Sequence, residues 1–183
     1  VFQIVKELKK FRSDKPIILM GYYNMIYQFG ENKFINKCKI SGVDGLIIVD
    51  LPWPENKFFA NKCKKKNICF VQLISPTTSY KRAKKIIKDS HDMLYYISML
   101  STTGGILKVS PKEIIKNYQK IKKIDPKKHC VIGFGITKKS IGKLKSADGL
   151  VVGSAICKEI TESIKKRQNP VTNVSKNVIQ LKK

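Results

Sequence analysis

Short apolar runs alternate with amphipathic stretches about every 25 to 30 residues along this chain, which is the pattern of parallel βα units. Strands are predicted at 16–20, 45–49, 68–73, 93–97, 130–132 and 149–152. They lack the strict apolar–polar alternation of a half-exposed strand, as strands buried on both faces do. Helices are predicted between them at 33–40, 54–65, 80–89, 111–124, 138–145 and 155–166. A further helix over 1–11 places Ile4, Leu8 and Phe11 on one face. Pro111 follows Ser110, and Glu113 stands three residues beyond that serine, which combines an N-cap, a first-turn proline and a capping box.

Two architectures use this alternation, a (β/α)8 barrel and an open doubly wound sheet, because both are built from right-handed βαβ crossovers. The glycine fingerprint G-x-G-x-x-G that a dinucleotide-binding sheet carries after its first strand is missing, since Gly21 is followed by Tyr22 and Tyr23. A barrel of about 200 to 250 residues needs two more βα units than the six strands read here. The chain opens on a helix and on valine rather than methionine. The reading is therefore a chain lacking its N-terminal part, with residues 1–167 as a partial barrel domain and 168–183 as a polar C-terminal tail.

The 183 residues carry a formal net charge of +24, which brings nucleic acid and anionic membranes into question as partners. Nearly all of that charge is lysine spread along predicted helices, with arginine only at positions 12, 82 and 167. Specific nucleic-acid readers use arginine forks with interleaved aromatics, so a solvated lysine surface is the better reading. No apolar run is long enough to span a bilayer, and lysines interrupt the first dozen residues where a signal peptide would be apolar. The expectation is a soluble, cytoplasmic protein without a membrane partner. Five cysteines, with no C-x-x-C pair and no histidines at ligand spacing, read as reduced thiols rather than disulfides or a metal site. His91 and His129 precede predicted strands, at the end of a parallel barrel that serves stability, and read as structural. Trp53 and the pair Tyr95–Tyr96 read as core or ligand wall rather than as base-stacking residues.

The chemistry-bearing signal lies at the strand ends. Gly133-Phe134-Gly135 follows one strand and Gly153-Ser154-Ala155 the next. Backbone amides bared by glycine at a helix start, beside a serine hydroxyl, suit a phosphate dianion. The last two strands of parallel barrels commonly build such a site. The bland alternative is that these glycines only permit tight turns or close packing. Ser101-Thr102-Thr103-Gly104-Gly105 reads as a flexible loop at the same end, able to close over a ligand or to serve as an ordinary connection.

Five segments in order carry a more specific likeness. They are Leu19-Met20-Gly21-Tyr22-Tyr23-Asn24, the run from Gly42 through Asp44, Gly45 and Asp50 to Pro52, Ser75-Pro76-Thr77-Thr78, Gly133-Phe134-Gly135-Ile136, and the run from Asp148 through Gly153-Ser154 to Ile156. In this series the chain resembles the tryptophan synthase alpha subunit family from about residue 1 to 160. The resemblance implies a (β/α)8 barrel of which about strands 3 to 8 are present. It implies a lyase of tryptophan biosynthesis that cleaves indole-3-glycerol phosphate to indole and glyceraldehyde 3-phosphate by a retro-aldol step. It also implies an alpha2beta2 heterotetramer in which pyridoxal phosphate belongs to the beta partner, with no cofactor or metal in this chain.

By the matched positions, Gly104, Gly135, Gly153 and Ser154 would hold the phosphate, and Tyr22, Tyr95 and Phe134 would surround the indole and glycerol portions. Asn24, Asp50 and Pro52, on loops at the same end, would lie near the beta subunit. The cleavage needs an acid for indole C3 and a base for a glycerol hydroxyl. In the family these are a glutamate and an aspartate whose positions precede Val1. No catalytic residue is assigned in this chain, because Asp44 opens its strand at the opposite end and Asp50 matches an interface position. No turnover is expected of the 183 residues alone. Two departures bear on closure: Ser101 stands where the mobile loop usually has glycine, and segment 104–110 is short. The competing functions are another phosphate-binding barrel of the same pathway and a non-catalytic basic binding protein.

Overall fold

Buried side chains at helical spacing and local end signals set most of the elements. In the computed structural model, residues 1–98, 100–102, 105–107, 109–133, 136 and 138–182 are described, with backbone alone at 100–102, 105–107, 138, 139 and 182. The chain forms two compact units. The first comprises Val1–Ile74, Thr78–Tyr95 and Ile124–His129, and the second Ser75–Thr77, Tyr96–Lys123 and Cys130–Lys183.

The first unit runs α1 (Phe2–Phe11), β1 (Ile18–Gly21), α2 (Tyr23–Phe29), α3 (Glu31–Ser41), β2 (Gly45–Ile48), α4 (Lys57–Lys65), β3 (Cys69–Phe70), β4 (Gln72–Ile74), α5 (Tyr80–Asp89) and the start of β5 (Met93–Ile97). β1, β2 and β3 form a parallel sheet in that order, with Ile18 opposite Gly45 and Gly45 opposite Cys69. β2 is buried at every residue, as predicted for a strand covered on both faces. The predicted strand at 68–73 is two pieces, because β3 pairs with β2 while β4 lies beside β5.

Helix ends in this unit follow the chemistry of their residues. α5 begins where the Ser79 hydroxyl accepts the Arg82 amide, and it buries Ala83, Ile86 and Ile87. α3 ends at Gly42, whose φ of 87° is the left-handed conformation that suits glycine. Val5, Ile26, Ile35, Leu46, Phe59 and Phe70 belong to the core, in which the Phe59 and Phe70 rings meet edge to face at 6.1 Å. On α1 the structure differs from the simplest reading of its pattern. Ile4, Leu8 and Phe11 share a face, but that face is open to solvent, Phe11 being 84% exposed, and Val5 is the buried residue. Among the described residues β1 pairs on one side only. An apolar cavity of about 440 Å³ lies there, bordered by Phe2, Leu19, Tyr22, Met25 and Phe34 among others.

The second unit holds the end of β5, β6 (Leu100–Thr102), β7 (Gly105–Leu107), α6 (Pro111–Ile124), β8 (His129–Gly133), α7 (Lys138–Ile141), β9 (Gly149–Leu150), α8 (Ser154–Lys165) and α9 (Pro170–Lys182). β8 lies between β5 and β9 and is parallel to β9. α6 follows its sequence signals: the Ser110 hydroxyl accepts the Glu113 amide, and Ile114, Tyr118 and Ile121 are buried one turn apart. Two segments depart from expectation. Where a flexible loop was expected, the described residues on either side of 103–104 are the short strands β6 and β7, which pair antiparallel with Ser101 opposite Ile106. The stretch read as a polar tail carries α9, for which the Asn169 side chain accepts the amides of Val171 and Thr172. α9 packs on α8, with Asn173 donating to the Ser163 hydroxyl and Asn177 to Glu159 across the contact.

Candidate functional site

At the end of β1 the chain turns from Gly21 through Tyr22 into α2, which has no capping side chain of its own. The cap comes from the end of β2: the Asp50 carboxylate accepts the Tyr23 amide at 2.7 Å, satisfying a first-turn donor and complementing the positive end of the helix. Val49 donates to the Gly21 carbonyl at 3.1 Å, so the two strand ends are joined by backbone as well. Tyr22, Asn24, Asp50 and Pro52 are all exposed around this junction. Asn24, expected on a loop, is the second residue of α2.

Behind the junction lies a polar relay. The Tyr23 hydroxyl donates to Glu31 at 2.5 Å, and Lys62 from α4 donates to the other Glu31 oxygen at 2.6 Å. The bond to Glu31, helped by burial, pushes the Tyr23 hydroxyl up to about 12. Burial alone would raise the Glu31 carboxyl, but Lys62 and Tyr23 together hold it below the ordinary range. The relay thus keeps a fixed charge and fixed protons beneath α2. No helical spacing signals it, because Gly30 breaks the chain between Tyr23 and Glu31.

Tyr95 lies buried in β5, and burial raises its hydroxyl pKa. His91 is structural, as expected: its Nδ1 accepts the Phe70 amide at 2.8 Å, and burial first, then Lys64, lowers its pKa. Asp44 stands at the start of β2 and accepts the Ile17 amide at 2.7 Å, at the opposite end from Asp50.

In the second unit β9 leads within a few residues into Gly153 and Ser154, the N-cap and first residue of the 12-residue α8. The amides of Ile156 and Cys157 bond the Gly153 carbonyl, whereas the first amides of a helix have no carbonyl behind them. Gly153 has φ −116°, open to any residue, and a Cβ added there would meet nothing within 4 Å among the described residues. Among the described residues neither backbone conformation nor packing demands glycine at this point. Gly104, Phe134 and Gly135 lie outside the described residues.

The cysteines are free, and burial pushes the thiols of Cys38, Cys63 and Cys130 up to about 12. Among the described residues no cluster of three or more histidine, cysteine or acidic side chains is placed to hold a metal. No helix among them is long and apolar enough to cross a membrane.

The family model described as tryptophan synthase alpha chain matches residues 1–183. The tryptophan synthase alpha chain of Pelagibacter ubique is 70% identical over the whole chain, which spans 69% of that relative's length. The solved alpha chain of Legionella pneumophila superposes with a TM-score of 0.86 at 31% identity, covering 98% of this chain and 66% of that one. A Pyrococcus furiosus structure of the tryptophan synthase a2b2 complex matches with a TM-score of 0.74 at 37% identity, over 88% of this chain and 65% of that one.

Proposed function

Because this chain belongs to the tryptophan synthase alpha chain family and carries part of its (β/α)8 barrel, we propose that it serves the cleavage of indole-3-glycerol phosphate to indole and glyceraldehyde 3-phosphate. The observation that carries the reading is the start of α8 directly after β9. Among the described residues nothing requires glycine there for φ or packing, and the first amides, the Ser154 hydroxyl and the helix dipole all suit a phosphate. In this reading Gly153 and Ser154, with Gly104 and Gly135, take the phosphate end of the substrate. Tyr22, Tyr95 and Phe134 surround its indole and glycerol portions. The carbon–carbon bond breaks when one group delivers a proton to indole C3 and another removes a proton from a glycerol hydroxyl. Neither transfer is assigned to a residue of this chain.

Asn24, Asp50 and Pro52 face the beta subunit of an alpha2beta2 assembly, the kind of complex that was solved for a Pyrococcus furiosus relative. The chain itself works without a cofactor, pyridoxal phosphate belongs to the beta subunit, and the assembly works in the cytoplasm.

Calorimetry with indole-3-glycerol phosphate tests the reading independently of the acid and base. Binding that inorganic phosphate competes away, and that Ser154→Glu weakens about tenfold or more by setting a carboxylate against the phosphate, is the expected result. Substrate binding that is absent, or unchanged in that variant, overturns it. Indole release on adding the beta subunit would extend the result from binding to catalysis.

A further inference from the structure

The loop from β2 to α4 carries Asp50 and Pro52, and it is tied down at three places. At its start the Asp50 carboxylate holds the Tyr23 amide of α2. At its end Asn56, 1% exposed, donates to the Leu51 carbonyl at 3.2 Å and exchanges hydrogen bonds with Gln72 on β4 at 2.8 and 3.2 Å. Between them Trp53 is fixed by charged groups rather than by the core. Its indole N–H donates to Asp89, the last residue of α5, at 2.8 Å. The same Asp89 oxygen pairs with Lys57 at 2.8 Å, and the Lys57 ammonium lies 5.2 Å from the centre of the indole ring. The Arg82 guanidinium from α5 lies 5.4 Å from that centre and donates to the Trp53 carbonyl.

We infer that Trp53 is a positioning residue: clasped by Lys57, Arg82 and Asp89, it holds the Asp50–Pro52 loop in one shape for the protein partner. The inference rests on the partner assignment made above. Each cation–ring contact at such a half-exposed site is modest by itself. Their combined effect is to remove loop freedom that would otherwise be lost on association, which is how preorganisation strengthens a complex. An indole with two torsions suits this use, since little side-chain freedom is lost when it is held. Sequence spacing gave no sign of the arrangement, because Arg82 and Asp89 lie on a helix about 30 residues beyond Trp53.

Trp53 is the chain's one tryptophan, so its emission reports on the clasp directly. Acrylamide quenching of the free protein and calorimetric titration with purified beta subunit should be run together. The set is the parent chain, Arg82→Met, Asp89→Asn, Arg82→Lys and Lys84→Met, with far-UV circular dichroism confirming that each folds. Arg82→Met and Asp89→Asn are expected to raise the quenching constant about twofold and weaken beta binding about three- to tenfold. Arg82→Lys, which keeps a cation at the ring, should restore most of the affinity. Lys84→Met removes an equal charge from the same helix and should change neither reading.

Variants that bind as the parent does, or an equal loss in Lys84→Met, overturn the inference and leave the partner assignment standing. A parent chain that does not bind beta subunit overturns both.

Discussion

Asp44-Gly45 opens β2 and Asp148-Gly149 opens β9, and the two sites are built alike. Asp44 accepts the Ile17 amide and Lys9 of α1, both at 2.7 Å. Asp148 accepts the Cys130 amide and Lys122 of α6, both at 2.8 Å. In each, one carboxylate pins the neighbouring strand and the helix that precedes that strand. The Asp148 site is the more enclosed, its carboxyl side chain being 26% exposed against 45% for Asp44, and its amide also donates to the Tyr118 hydroxyl. At their far ends the strands diverge, one into Asp50 and the loop that leads to α4, the other into Gly153, Ser154 and α8. One device thus places strands at the end that serves stability, while sequence is free to vary function at the other.

The largest way to break this parallel is to remove the carboxylates. Asp148→Ala is expected to cost about 2–3 kcal/mol, because it strands a mostly buried lysine and a strand amide. Asp44→Ala should cost about 1 kcal/mol, since water replaces much of what is lost. Urea unfolding of both variants checks this, and equal losses would mean that enclosure does not separate the sites.

Next come the glycines. A Cβ on Gly45 would stand 3.0 Å from the Cys69 carbonyl oxygen and 3.3 Å from Ile18, whereas one on Gly149 would meet, among the described residues, the Val131 side chain at 3.1 Å. Gly45→Ala should therefore destabilise by about 1–2 kcal/mol and Gly149→Ala by less, as melting temperatures would show.

A smaller effect is expected on acidification. Burial alone would raise the Asp148 carboxyl, but Lys122, the Cys130 amide and Tyr118 hold it below the ordinary value. A carboxylate so depressed contributes stability that is present above about pH 4 and fades as the pH falls further. Asp148→Asn should be the less stable protein at pH 7 and should converge with the parent below pH 4. Denaturant midpoints measured from pH 7 to 3 would reveal any failure to converge.

Smallest is a change in thiol reactivity. Burial, reinforced by the Asp148 charge, keeps the Cys130 thiol neutral, so in the parent chain the exposed Cys157 should react first with a disulfide reagent at pH 8. Asp148→Ala should speed modification of Cys130 and Asp44→Ala should not, which peptide mapping after timed labelling would test.

How much of this was legible follows from how local each cause is. α5 and α6 have their serine caps and buried faces within a dozen residues, and their predicted bounds coincide with those observed. The two Asp-Gly starts are likewise local, and both stood among the motifs from which the family was read. α2 escaped because its cap is Asp50, 27 positions away. α9 carried a signal in Asn169-Pro170, a cap followed by a first-turn proline, but its polar composition hid a helix held by side-chain amides. On α1 periodicity identified the face of Ile4, Leu8 and Phe11, yet periodicity does not say what covers a face. The start of α8 is legible in Gly153-Ser154, within one residue of the expected bound, while the clasp around Trp53 depends on tertiary neighbours that spacing does not reveal.

The lysines spread along the helices have a colloidal consequence. A net charge of +24 drives copies of the chain apart. How far that repulsion reaches is set by ionic strength, because its range falls from about 30 Å in 0.01 M salt to about 8 Å in 0.15 M. In dilute buffer the lysines act as the chain's dispersant.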